Sequence, residues 1–211
     1  MNDDKPAAIV ENGYNQIAQV YHNQRDKFKN DDVLMSFAAL LPPDGDVLDV
    51  GSGAGIPVAR FLVDTGFRVT GLDISLSMLE LARVKVPEAR FVKMDMRRLA
   101  FEAFRFDGIS AFYSLFHVPR EEQPQVLTSF HRLLRQDGIL LFCSGVSAWE
   151  GIANFFTAPM YWSHPDCEET RKLVIDAGFS VILSEVREYG GEKHYWVMAR
   201  KEHNQALEET P

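Results

Sequence analysis

The chain has 211 residues, which is enough for one well-filled domain and short for two. Lys and Arg number 22 against 30 Asp and Glu, so the formal net charge is −8 and the protein lacks the positive field that draws proteins to nucleic acid or anionic membranes. Two cysteines make neither a disulfide framework nor a zinc site, and no apolar stretch is long enough to span a bilayer. The acidic, polar N-terminus lacks the features of a signal peptide, which predicts a cytoplasmic location.

The pattern is helical from about Pro6 to Leu41, with a second helix start at Asn30. Apolar strands then alternate with helical stretches. The predicted strands are Asp46–Val50, Arg68–Asp73, Ala89–Met94, Phe106–Ala111 and Ile139–Ser144. The predicted helices between them are Ile56–Thr65, Leu76–Val86 and Glu121–Arg135. Such alternation is typical of an α/β fold with a doubly wound, mostly parallel sheet.

The alternation stops after Ser144. Residues 145–166 are irregular and aromatic in pattern, and a helix is predicted over Glu168–Ala177. Phe179–Glu188 and His194–Lys201 are predicted to pair as an antiparallel hairpin around Gly190 and Gly191.

The most informative segment is the glycine loop, residues 51–55, which follows the first strand. Gly51, Gly53 and Gly55 alternate there, and a helix begins near Pro57. Glycines permit positive φ and let a ligand approach the backbone, and a helix start adds free N–H donors. The spacing is G-x-G-x-G, whereas a dinucleotide-binding loop has G-x-G-x-x-G, and Ile56 stands where its third glycine belongs.

Three acids accompany this loop: Asp49 before it, Asp73 at the end of the second strand and Asp95 after the third. With them, the segment from Val47 to Ser144 resembles the class I S-adenosylmethionine-dependent methyltransferases of the small-molecule type. The resemblance implies a Rossmann-like, seven-stranded sheet of order 3-2-1-4-5-7-6 ending in an antiparallel hairpin. It also implies S-adenosyl-L-methionine as cofactor and S-adenosyl-L-homocysteine as product.

The resemblance assigns the methionyl group to the glycine loop, the ribose to Asp73 and the adenine to Asp95. The other cofactor contacts that it predicts in and after the core are Asp49, Gly51, Ser52, Gly53, Gly55, Ile74, Met78, Met96 and Phe112. Asp73 and Asp95 have an alternative role, because either carboxylate can cap the helical turn that follows it.

The N-terminal segment from Tyr14 to Tyr21 resembles the Tyr-x-x-x-Ala-x-x-Tyr stretch that precedes many small-molecule methyltransferases. There it folds over the cofactor, so Tyr14 and Tyr21 are predicted cofactor contacts, and Arg25 is predicted to pair with the cofactor carboxylate. The alternative is an amphipathic helix whose tyrosines belong to the core.

The reacting centre is predicted beyond the fourth strand. His117 is the candidate general base, because an ordinary histidine pKa of about 6.5 suits proton removal at neutral pH. Tyr113 is a second candidate, for orienting the acceptor. The alternatives are that His117 only packs and forms local hydrogen bonds, and that Tyr113 belongs to the core.

A wall for the methyl acceptor is predicted from aromatic and histidine side chains after the fourth strand and after the fifth, since aromatic rings give apolar area at low entropic cost. The predicted acceptor residues are Phe116, His117, Tyr161, Trp162 and His164. The alternative for residues 160–165 is a small satellite core. His194, in the last strand, is predicted to be structural.

These expectations describe a single domain over residues 1–211. Its parts are an N-terminal helical cap (1–41), a cofactor-binding core (46–144), an acceptor-side insertion and helix (145–178) and a terminal hairpin (179–201). The predicted function is methyl transfer to a small, partly apolar acceptor by in-line SN2 displacement, without a metal, nucleic acid or membrane partner, in a monomer or homodimer. Two alternatives stay open: an NAD-dependent oxidoreductase on a related fold, and a non-catalytic cofactor-binding module that regulates a partner.

Overall fold

The structure is a computed structural model that describes residues 5–24 and 30–202. The helices are α1 (Lys5–Gln24), α2 (Asp31–Ala38), α3 (Val58–Asp64), α4 (Leu76–Lys85), α5 (Gln123–Leu133) and α6 (Cys167–Asp176). The strands are β1 (Asp46–Val50), β2 (Arg68–Asp73), β3 (Arg90–Lys93), β4 (Phe106–Ala111), β5 (Leu134–Ser144), β6 (Trp149–Phe155), β7 (Ala158–His164), β8 (Phe179–Tyr189) and β9 (Glu192–Lys201). Short 3-10 helices lie at Met96–Arg98 and Leu115–His117.

Seven strands form one sheet in the order β3-β2-β1-β4-β5-β9-β8. The first five run parallel, and β9 pairs antiparallel with both β5 and β8. This confirms the predicted topology, because β8 and β9 are the sixth and seventh strands of the expected order. Asp49 of β1 lies level with Gly71 of β2 and Ser110 of β4, so the loops after these strands meet at one edge of the sheet.

The prediction of an irregular segment over residues 145–166 is wrong. Strands β6 and β7 form a separate two-stranded antiparallel sheet there. Strand β6 is exposed along most of its length, so its sequence lacks the apolar alternation that marks a half-buried strand. What holds this hairpin in place is the packing of β7 on α1, which local sequence does not reveal.

One further boundary agrees with the prediction and one differs. The N-terminal helical pattern divides into two helices, with α1 over Lys5–Gln24 and α2 beginning at Asp31, directly after the predicted start at Asn30. Strand β5 begins at Leu134 rather than Ile139, because pairing with β4 resumes across an irregularity beside Phe106 and Gly108. The Asp137-Gly138 pair therefore lies inside the strand, where Asp137 takes a φ of 59°.

Apolar side chains cover both faces of the large sheet, and a smaller cluster joins α1 to β7. In that smaller cluster Val10 and Ile17 of α1 pack with Met160 and Tyr161 of β7. A Cβ atom at Gly13 would lie 2.8 Å from Met160 Cε, so the glycine allows the helix to approach the strand closely. Helix α1 is thereby held across the carboxyl edge of the sheet.

Candidate functional site

The first cavity lies at the carboxyl edge of the large sheet, with α1 along one side, and has a volume of about 990 Å³. The predicted cofactor contacts that line it are Tyr14, Tyr21, Asp49, Gly51, Ser52, Gly53, Asp73, Ile74, Met78, Asp95, Met96 and Phe112. Both predicted catalytic residues, Tyr113 and His117, line it as well. The fold therefore brings together, in one cavity, predicted residues from the ends of four strands and from α1.

The glycines of the loop differ in their surroundings. Gly51 has a φ of 68°, and a Cβ atom there would overlap the Ser114 side chain, whose Oγ donates a hydrogen bond of 2.8 Å to Val50 O. Gly53 has a φ of 52°, and a Cβ atom there would meet nothing within 4 Å. Its backbone is thus bare toward the cavity, while Gly51 is required by packing.

Gly55, a predicted cofactor contact, is not among the cavity-lining residues. A Cβ atom there would lie 3.0 Å from Val86 Cγ2 and 3.2 Å from the tip of the Phe91 ring. Its φ is 78°. Gly55 therefore lets the loop pack against the end of α4 and β3, which is a structural role.

The Asp73 carboxylate is held by backbone amides at the cavity wall. Gly53 N donates to Oδ2 at 2.9 Å and Ser75 N donates to Oδ1 at 2.8 Å. Burial raises the pKa of Asp73 to about 6, against the opposing effect of these donors. The cap of α4 is Ser75, whose Oγ accepts from Met78 N, so Asp73 does not have the alternative role of capping that helix.

Asp95 has the capping role that was its alternative. Its Oδ1 accepts a 2.9 Å hydrogen bond from Arg97 N at the start of the 3-10 helix Met96–Arg98. Its Oδ2 lies 2.6 Å from Arg97 Nη2, and the Arg97 side chain is only 8% exposed and reaches Glu122 at 3.3 Å. Asp95 still lines the cavity, so its contact with adenine stays a prediction. The sequence analysis did not identify Arg97. Its position, two residues after Asp95, is the signal that could have suggested an ion pair between them.

His117 is buried and uses both ring nitrogens. Its Nδ1 lies 2.7 Å from Tyr161 O, and its Nε2 lies 2.9 Å from the Tyr14 hydroxyl. A carbonyl oxygen only accepts, so Nδ1 carries the proton and Nε2 of the neutral ring accepts from Tyr14. Burial lowers the pKa of His117 to about 4, so the ring is neutral at pH 7. Both ring nitrogens are therefore engaged in local hydrogen bonds, and the pKa lies well below the value of about 6.5 that suggested a general base. The catalytic role of His117 stays a prediction.

A second cavity of about 770 Å³ adjoins the first. Tyr14, Tyr21 and Tyr113 line both. The residues that line only the second are Gln24, Phe116, Phe155, Phe156, Trp162, Gly190, Glu192 and His194. Of the predicted acceptor residues, Phe116 and Trp162 are here, and His117 lies in the wall of the first cavity.

Tyr161 and His164 line neither of these two cavities. The Tyr161 hydroxyl donates to Glu150 Oε1 at 2.9 Å, and its backbone oxygen accepts from His117. Phe155 and Phe156 line the second cavity instead of Tyr161 and His164. The sequence reading missed this pair because it assigned no hairpin to the segment.

His194 was expected to be structural, yet it lines the second cavity, and its ring lies 4.9 Å from that of Tyr113. Tyr113 also has core contacts, since Asn30 Nδ2 donates to its hydroxyl at 3.1 Å and its ring packs 5.7 Å from Trp196. Each of these residues therefore has a packing role together with a place in the cavity wall.

Three further predictions concern Arg25, metal binding and membrane spans. Arg25 lies outside the described residues. Within residues 5–24 and 30–202, no cluster of three or more His, Cys, Asp or Glu could hold a metal ion. Across the same ranges, no helix has both the length and the apolar character needed to cross a membrane.

Residues 47–138 match a family model described as a methyltransferase domain. The chain is 29% identical over 167 residues to the malonyl-[acyl-carrier protein] O-methyltransferase of Pseudescherichia vulneris, covering 74% of this chain and 64% of the relative. It is 33% identical over 106 residues to the ubiquinone biosynthesis O-methyltransferase of Histophilus somni, covering 46% of this chain and 43% of the relative. Across eight curated relatives, the chain spans between 35% and 64% of their lengths.

Among solved structures, the 1,6-didemethyltoxoflavin-N1-methyltransferase of Burkholderia thailandensis matches with a TM-score of 0.72. The match covers 96% of this chain and 92% of that chain at 24% identity, so it shows a shared fold. That structure contains 1,6-didemethyltoxoflavin and S-adenosylhomocysteine.

Proposed function

Because this chain belongs to the class I S-adenosylmethionine-dependent methyltransferases, we propose that it transfers the methyl group of that cofactor to a small, partly apolar acceptor by in-line displacement. The observation that carries the proposal is the pair of adjoining cavities with three tyrosines in common. One cavity lies at the glycine loop and the other is lined mainly by aromatic rings. Transfer between two bound molecules requires that both be held with their reacting atoms close and aligned, which such a pair allows.

The residues of the first cavity fit the cofactor. The carboxylate of Asp73 offers about four acceptor sites, which leaves capacity for a ribose hydroxyl beside its backbone donors. Ser52 Oγ is buried in the wall and has no hydrogen-bond partner among the described residues, so it is available to a polar ligand group. The backbone at Gly53 is open to the cavity, as the methionyl group requires.

The cofactor supplies a methyl group activated on a sulfonium, and the protein supplies position and a route for the proton. In our proposal the acceptor hydroxyl or amine gives its proton to the Tyr14 oxygen. The Tyr14 proton passes to His117 Nε2 over their 2.9 Å hydrogen bond. Tyr14 ends neutral and His117 ends as a cation whose Nδ1–H still donates to Tyr161 O. The low pKa of His117 keeps Nε2 unprotonated before the reaction and favours release of the proton afterwards.

The names of two similar proteins support a small acceptor. One acts in ubiquinone biosynthesis as an O-methyltransferase, and the other is an N1-methyltransferase with 1,6-didemethyltoxoflavin bound. Neither name settles the acceptor of this chain. The NAD-dependent alternative has no support from these findings, and the glycine spacing disfavours it.

Calorimetry and a transfer assay test the proposal. We expect S-adenosylhomocysteine to bind the purified protein and NADH to leave it unchanged. With methyl-labelled S-adenosylmethionine, we expect transfer to members of a panel of phenols and heteroaromatic amines. Binding of NADH in place of S-adenosylhomocysteine would overturn the cofactor assignment. Binding of S-adenosylhomocysteine without transfer to any member would overturn the catalytic part and favour a regulatory module.

A further inference from the structure

The walls of the second cavity consist mainly of aromatic rings. Phe116 and Trp162 lie with ring centroids 5.2 Å apart, Phe155 and Trp162 at 5.4 Å, and Phe155 and Tyr21 at 5.7 Å. Phe155 and Phe156 add a further pair at 4.8 Å. These spacings are those of edge-to-face and tilted aromatic pairs, which stabilise one another and offer ring faces and edges to an inserted planar group.

The charge of the cavity is equally informative. Among the described residues that line it, Glu192 is the single acid and there is no Lys or Arg. Glu192 follows Gly190 and Gly191 at the β8–β9 turn, and its side chain is 58% exposed. His194 Nε2 lies 4.0 Å from Glu192 Oε2. A carboxylate or phosphate on the ligand would meet a like charge here, and no described lysine or arginine in the lining would offset the repulsion.

Polar groups for the reacting atom are found where the two cavities adjoin. Tyr14 lines both cavities and is hydrogen-bonded to His117, so a hydroxyl or N–H group must come to this junction to react. The rest of the ligand then lies among the aromatic rings of the second cavity, whose lining also includes Glu192. This arrangement specifies a molecule with a polar reacting end and a flat, uncharged body.

We infer that the second cavity selects a neutral acceptor built on a planar aromatic or heteroaromatic ring, and that Glu192 discriminates against acceptors that carry a carboxylate or phosphate. This inference rests on the proposed function and adds the substrate class to it. Glu192 acts on specificity through charge and takes no part in the methyl transfer itself.

Three matched probes test the inference in protein saturated with S-adenosylhomocysteine. They are methyl 4-hydroxybenzoate, its free acid 4-hydroxybenzoate, and the saturated-ring counterpart methyl 4-hydroxycyclohexanecarboxylate. We expect calorimetry to show the ester binding at least about tenfold more tightly than either of the other two, since a like-charge contact and a lost aromatic contact each weaken binding measurably.

Charge reversal separates a specific effect from general damage to the hairpin. In Glu192→Lys we expect the preference for the ester over the acid to fall at least about tenfold, with Glu192→Gln in between. Glu188→Lys is the matched control, because Glu188 is exposed on the same hairpin and does not line the cavity. Thermal unfolding checks that all three variants remain folded.

For the aromatic walls, Phe156→Ala is the test variant and Ile152→Ala its control, since both side chains are partly exposed on the β6–β7 hairpin and only Phe156 lines the cavity. We expect only the first to weaken ester binding. Equal binding of acid and ester, an unchanged ratio in Glu192→Lys, or equal binding of the saturated ester would overturn the inference. Failure of S-adenosylhomocysteine itself to bind would instead overturn the proposed function, so the two failures are distinguishable.

Discussion

The two cavities meet at Tyr14 but are constructed in different ways. The first is formed by backbone and short polar groups at the ends of neighbouring strands, as with Gly53 N donating to the Asp73 carboxylate. The second is formed by large side chains from α1, the β6–β7 hairpin and the β8–β9 turn, which are far apart in the chain. The difference indicates that the first cavity depends on loop conformation, whereas the second depends on the identity of its side chains.

The largest effect is expected at the junction, where the two cavities share the Tyr14–His117 pair. His117→Asn and Tyr14→Phe should each lower kcat about 10²- to 10⁴-fold, the usual contribution of acid–base catalysis, with little change in S-adenosylhomocysteine affinity. If they act in one relay, the double variant should be no slower than the slower single variant.

The control for this prediction is His131→Asn. His131 is a half-buried histidine of α5 that packs on Phe179, away from both cavities. We expect its kcat to remain at the wild-type value. Unchanged kcat in His117→Asn would mean that His117 only packs locally, which would then show only in thermal unfolding.

The next effect concerns the backbone of the first cavity. Gly51→Ala should lower the free energy of unfolding by roughly 2–5 kcal/mol, because the new Cβ overlaps Ser114 and an L-residue is strained at this φ. Gly53→Ala should cost about 1–2 kcal/mol of stability, since only the φ is unfavourable there. Chemical denaturation measures both.

The effect on cofactor binding should also differ between the two glycines. Although Gly53→Ala is the milder change for folding, its methyl group enters the cavity, so we expect it to weaken S-adenosylhomocysteine binding at least about tenfold. If Gly53→Ala binds as tightly as wild type, the glycine loop does not hold the cofactor. Equal stability of the two variants would contradict the packing role of Gly51.

A further effect on cofactor binding is expected from removing one carboxylate. Asp73→Ala should weaken S-adenosylhomocysteine binding by about 2–3 kcal/mol, the range for hydrogen bonds to a charged partner. The exposed Asp176→Ala in α6 is the control and should have no effect on binding. Calorimetry at pH 7.5 provides both values.

The pH dependence follows from the raised pKa of Asp73. Only the ionised carboxylate accepts at both oxygens, so cofactor affinity should fall as the pH drops through about 6. Between pH 7.5 and 5 the expected loss is about tenfold, and it should be absent in Asp73→Ala. A wild-type affinity that stays constant over this range would show that Asp73 does not contact the ligand.

The sequence was sufficient for the strands of the large sheet and most of the first cavity, because those features are local, whereas the strand order came from the family resemblance. The strands are continuous apolar runs, and Gly51, Gly53 and Asp73 follow directly from the ends of β1 and β2. It was insufficient for Gly55, since only the folded structure shows whether a glycine faces a ligand or the neighbouring Val86 and Phe91.

The lining of the second cavity was harder to predict from the sequence, for a physical reason. Strand β6 is exposed and pairs only with β7, so nothing in its own pattern distinguishes it from a loop. Glu192 and His194 lie at the start of β9, which is placed in the sheet by pairing with β5 across more than fifty positions of the chain. Such contacts depend on the tertiary fold, and residue spacing alone does not encode them.

Helix α1 forms a wall common to both cavities through Tyr14 and Tyr21, and close packing at Gly13 ties that wall to β7. A ligand in one cavity that shifts either tyrosine ring therefore also reshapes the other cavity. Thermodynamic linkage makes any such coupling mutual: the factor by which the first ligand changes the affinity for the second equals the factor by which the second changes the affinity for the first.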